Sequence, residues 1–185
     1  MTVATTWWDL EIESMPDFDM SMKRVYAWYE REIIDRPPVR FMAHNAFIDE
    51  ANVAYPSSNL KDRWFDEQFL VDTYLKSIAG KRFHGETFPV FWPNLGPEVY
   101  AAFYGAELEY GEVTSWSKPL IHEWKDIGRL ELDLHNEYFT KLEALTQCAL
   151  ERCAGQSLVG YTDLHPGVDC AAAWRDPQQL CIDLI

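Results

Sequence analysis

Apolar residues recur along this chain in two rhythms: long stripes at helical spacing, and short unbroken runs. Met22, Val25, Trp28 or Tyr29, and Ile33 form the first stripe and predict a helix from Pro16 to about Asp35. Asp17 and Asp19 suit its positive end, and Arg36-Pro37-Pro38 stops it, because proline removes a donor and restricts the residue before it. Leu60, Trp64, Val71, Leu75 and Ile78 form a second stripe, capped by Ser57 to Asn59 and closed by Gly80. Phe139, Leu142, Leu145, Ala149 and Cys153 form a third, from Asn136 to Ala154, with Gly155 as its end. Pro97 should open a short helix to Tyr104, and Asp169–Trp174 and a segment after Asp176-Pro177 also read as helical.

The unbroken runs are Val39–Ala43, Phe88–Trp92 and Leu158–Val159, each followed by polar, turn-forming residues. Glu107 to Trp116 alternates about Gly111 and predicts a small hairpin, while 119–136 shows no clear period. Strand, loop and helix thus recur about three times: 39–79, 88–105, and 157 to the end. That alternation predicts an α/β fold with parallel strands covered by helices. A (β/α)8 barrel takes roughly 250 residues, so three units and a hairpin are expected to be its incomplete N-terminal portion, in a single domain with residues 1–15 as an irregular arm. The native chain is accordingly expected to continue past Ile185; a half-barrel ending there would have to complete itself, for example as a homodimer.

Ligands bind at the carboxyl ends of parallel strands. Three such ends are predicted here: His44 with Asn45, Trp92 with Asn94, and Tyr161 through Asp163 to His165. Asp163 and His165, with His44, are the candidate catalytic groups, the carboxylate fixing the imidazole tautomer for acid–base work. Asn45, Trp92, Asn94 and Tyr161 are the candidate substrate-binding groups, with Trp92 able to stack a flat ligand. The competing readings are that Asp163, His165 and His44 only satisfy loop and cap hydrogen bonds, and that Trp92 is core. His84 and Glu86, before the second strand, should lie at the opposite, stabilising end. Glu107, Glu109 and Glu112 read as a solvated hairpin face.

Composition narrows the partners. The 185 residues carry 30 acids against 16 bases, a formal net charge of -14. Nucleic acid and anionic membrane surfaces both draw on clustered Lys and Arg, so neither is expected. Aromatic residues make up 15% of the chain, ample for a core. Cys148, Cys153, Cys170 and Cys181 form no Cys-x-x-Cys pair and read as reduced thiols. With neither a signal-peptide pattern nor an apolar run of membrane-spanning length, the cytoplasm is the expected compartment.

Several segments resemble the uroporphyrinogen decarboxylase-like family, part of a superfamily with cobalamin-dependent methyltransferases. They are Pro38–Met42, Phe88–Phe91, Glu107–Tyr110 leading to Ser117-Lys118-Pro119, and Leu158–Tyr161. The resemblance covers most of 20–185 and only the family's N-terminal half; it implies a (β/α)8 barrel with its active site at the strand carboxyl ends. Decarboxylases of the family carry Arg-Gln-Ala-Gly-Arg after the first strand, where this chain reads Ala43-His44-Asn45-Ala46-Phe47. Their aspartate after the second strand falls near Pro93 or Asn94. Without those arginines a polycarboxylate tetrapyrrole lacks its bidentate partners, so uroporphyrinogen decarboxylation is not expected. The methyltransferase relatives imply zinc and a corrinoid protein partner, but their His-x-Cys motif lies beyond the matched half and no metal ligand can be assigned. The expectation is an enzyme acting on a small molecule, by methyl transfer or related chemistry. The alternatives are a non-catalytic or sugar-binding protein on the same scaffold, or an inactive fragment.

Overall fold

The computed structural model describes residues 8–41 and 55–185. Its elements run α1 (Phe18–Tyr29), α2 (Leu60–Trp64), α3 (Glu67–Ile78), β1 (Val90–Phe91), α4 (Val99–Ala102), β2 (Leu108–Tyr110), β3 (Ser115–Ser117), a 3-10 segment (Trp124–Arg129), α5 (Glu137–Arg152), β4 (Leu158–Val159), α6 (Val168–Arg175) and α7 (Pro177–Asp183).

The barrel expectation is wrong. Among the described residues the strands form two small sheets: β1 pairs with β4 in parallel, and β2 with β3 antiparallel. Among these residues helices dominate, and no alternating strand–helix series runs through them. Two causes stand out. The run at 39–41 does not join β1; Arg40 makes one isolated antiparallel bridge to Gly85. Ala43, at the end of the predicted strand, lies outside the described residues. β1 itself is stopped chemically. Leu158 donates its N–H to the Pro89 carbonyl at 2.9 Å and Gly160 to the Phe91 carbonyl at 2.8 Å. One more rung in either direction would need an N–H at residue 89 or 93, and both are prolines.

The helices follow their sequence signals closely, with two instructive breaks. α1 ends at Tyr29, not Asp35, because Arg31 turns the chain at φ +63° and Arg24 grips Asp35 at 2.8 and 2.7 Å. The stripe from Leu60 to Ile78 is two helices. Asn59 caps the first by accepting from Lys61 N–H at 3.0 Å, and Asp66 restarts the second by accepting from Phe69 N–H at 2.9 Å. α5 needs no such restart: Asn136 accepts from Tyr138 and Phe139 N–H groups at 3.0 and 2.9 Å.

α5 also organises the core. Its Tyr138 and Leu142 pack with Leu95, Val99, Phe103 and Leu108, joining α4 and the hairpin. One turn on, Leu145, Ala149 and Cys153 pack with Val71 of α3 and Phe91 of β1. Ala101 of α4 packs on Cys170 and Ala173 of α6. The irregular segment before α1 is held by buried Ile12 and Met15 and by Glu13 N–H to the Gly155 carbonyl at 2.9 Å. Trp7, expected to fold onto the body with Trp8, lies outside the described residues, whereas Trp8 packs against the Ile12, Met15 and Phe18 cluster.

Candidate functional site

The parallel pair sets the geometry. β1 and β4 run in register, Val90 opposite Leu158 and Phe91 opposite Val159, so their carboxyl ends leave the sheet side by side. From β1 the chain passes Trp92 and Asn94 to α4. From β4 it passes Tyr161, Asp163 and His165 to α6. These exits line two hollows with no lining residue in common.

The first hollow, about 170 Å3, lies between α4 and α6 and is lined by Pro97, Glu98, Ala101, His165, Asp169, Cys170, Ala172 and Ala173. His165 Nε2 lies 2.8 Å from Asp163 Oδ2, a hydrogen-bonded pair. Its Nδ1 lies 3.9 Å from Asp169 Oδ2, too far for a hydrogen bond. The Asp163 hydrogen bond raises the imidazole pKa above its ordinary value; desolvation opposes this, and the charges of Asp163 and Asp169 reinforce it. Glu98 faces the same hollow, with one carboxylate oxygen accepting from Ser117 N–H and the other without a hydrogen-bond partner among the described residues. Cys170 is 2% exposed, and burial, then the charge of Glu98, pushes its thiol up to about 11. It therefore stays protonated at neutral pH and is a poor nucleophile.

The second hollow, about 340 Å3, lies between α3 and the hairpin and includes Arg63, Trp64, Thr73, Phe91, Trp92, Asn94 and Glu112. Trp92 is half exposed, not core. Asn94 Oδ1 accepts from Gly96 N–H at 2.7 Å, tightening the turn. Gly96 sits at φ +107°, and a Cβ there would come within 1.6 Å of Ser115 Oγ. Glycine is required at this point, and it fixes how the chain passes from one hollow to the other.

The expected site residues therefore divide. Asp163 and His165 are brought together as a pair. Trp92 and Asn94 share the other hollow. Tyr161 is 97% exposed and lines neither. His44 and Asn45 lie outside the described residues. Reading the sequence missed Glu98 and Asp169. Asp169 had a signal, since it stands four residues after His165; Glu98 had only its place after Pro97. Glu112 is solvated, as expected, with its side chain 74% exposed, and it also anchors Arg63 at 2.8 Å.

A zinc ion, which the family resemblance implies, does not fit these donors. Among the described residues no three His, Cys, Asp or Glu side chains are grouped to hold a metal, and Cys170 is held as a thiol. At about 170 Å3 the His165 hollow is also well below the roughly 300–1,000 Å3 of drug-sized sites, so a corrinoid does not fit it. Among the described residues, no helix is long and apolar enough to cross a membrane. Searches of family models, curated proteins and solved structures give no match to this chain.

Proposed function

We propose that this chain is an enzyme performing acid–base chemistry on a small polar molecule, with His165 as the proton donor. One observation carries the reading: Asp163 holds Nε2 of His165 at 2.8 Å, while Nδ1 has no hydrogen-bond partner among the described residues and His165 lines the hollow shared with Glu98. Asp163 orients the ring, and the two carboxylates flanking it favour the imidazolium. The Nδ1 proton is then available to an oxygen seated in the hollow. Glu98, which lines the same hollow, would receive a proton from the same ligand. A cavity of about 170 Å3 admits only a small polar end, such as a carbonyl or carboxylate, and not a tetrapyrrole.

The test is turnover. A panel of small carbonyl and carboxylate compounds would be followed by proton NMR with the wild-type chain, His165→Gln and Glu98→Gln. Conversion of at least one compound, reduced roughly 100-fold or more in His165→Gln, is expected for loss of a general acid. Conversion that survives both substitutions, or no conversion across the panel, would overturn the assignment.

A further inference from the structure

We propose that the hollow between α3 and the hairpin is a binding site for a neutral sugar ring, stacked on Trp92. Four aromatic rings line it, and three are already engaged. Trp64 packs on Tyr110 at 5.4 Å, Phe69 on Tyr55 at 4.8 Å and Phe91 on Tyr74 at 5.2 Å between centroids. Trp92, 50% exposed, has no ring partner among the described residues. A single free indole face offers one-sided stacking, which suits the C–H face of a sugar; a flat heterocycle gains most from being held between two rings.

The polar groups agree. The Trp92 indole N–H, the Asn94 side-chain amide N–H groups and the Thr73 hydroxyl border the hollow and have no hydrogen-bond partner among the described residues. They are donors waiting for acceptor oxygens. The one cation lining it among the described residues is already neutralised: Arg63 binds the Glu112 carboxylate at 2.8 Å and the Glu112 carbonyl at 2.5 Å. The local charge is balanced, so an uncharged ligand is favoured over an anion. At about 340 Å3 the volume lies inside the range of small-molecule sites. This site is independent of the His165 chemistry and shares no lining residue with it.

The experiment uses the full chain and a panel of neutral mono- and disaccharides (glucose, galactose, mannose, maltose, cellobiose), with adenine and indole as flat controls. Binding is read by saturation-transfer NMR and tryptophan fluorescence. The expected result is binding of at least one sugar, weakened roughly tenfold by Trp92→Ala, a factor in line with loss of one stacked ring. Thr73→Val, which keeps the side-chain shape, should weaken it less and serves if Trp92→Ala fails to fold. No saccharide binding, binding of the flat controls alone, or saccharide binding untouched by both substitutions would overturn the proposal.

Discussion

Two of the places where the molecule holds a carboxylate beside a cation differ in kind. At Glu86 the carboxylate side chain is 2% exposed and surrounded. Arg36 reaches it at 2.7 and 2.9 Å, Arg24 at 3.3 Å and the Val39 N–H at 2.5 Å. Burial alone would raise the Glu86 pKa, but these three partners reverse that and lower it. At Asp163 and His165 the side chains are 51% and 36% exposed, and one nitrogen of the pair is left over. The first assembly leaves no capacity for a ligand and binds residues 35–41 to α1 and the chain before β1. The second is open and incomplete. Saturation marks a structural ion cluster; a leftover donor beside a hollow marks a place where chemistry can occur.

Substitutions can sharpen or break that contrast. Glu86→Gln removes the buried charge that the Arg24 and Arg36 guanidiniums reach. It should cost about 3 kcal/mol in urea denaturation at neutral pH, the low end for breaking a buried pair, because Arg36 is 37% exposed. A loss below about 1 kcal/mol would show that the cluster is not structural. Arg36→Ala leaves Arg24 and the Val39 N–H on the carboxylate and should cost less, roughly 1–2 kcal/mol by the same measurement. A loss equal to that of Glu86→Gln would mean that Arg24 contributes nothing.

Asp163→Asn should change stability least, and only on one side of the pH scale. His165 has a raised pKa in the folded chain, so its ion pair contributes fully below the unfolded histidine value near 6.5. That contribution fades as pH rises through the raised folded value. The variant should therefore move the denaturation midpoint at acidic pH and leave it unchanged at alkaline pH. Its His165 ring resonance should also titrate at lower pH than in the wild type. An unmoved titration would show that Asp163 does not hold the imidazole in solution.

The same contrast explains what could be read from the sequence. Helices were legible because their information is local. The stripe Leu142, Leu145, Ala149, Cys153 and the cap at Asn136 specify α5 without reference to any other element. The hairpin about Gly111 was legible for the same reason. The barrel was not, since an apolar run states only that a segment is buried, never which strand it will meet or for how many rungs. Val39 to Phe41 meets the chain at Gly85 and Glu86 through one bridge and a side-chain carboxylate, not through a ladder. The Asp163 and His165 pair was visible as a two-residue spacing. Glu98 joins it only because α4 packs on α6 through Ala101, Cys170 and Ala173, a contact between small residues that no spacing announces.

The shortness of β1 bears on how the chain meets its own copies. A strand this short makes a poor template. The carbonyls of Pro89 and Phe91 face β4, so the outward edge of β1 presents only the backbone groups of Val90 and Trp92. A foreign strand docking there would meet a strand of 2 residues, Val90–Phe91, shorter than the roughly three to ten of ordinary strands. The two prolines thus cap the β1–β4 ladder at both ends, and it is the shortness of β1, not their missing N–H groups, that limits what its outward edge can offer.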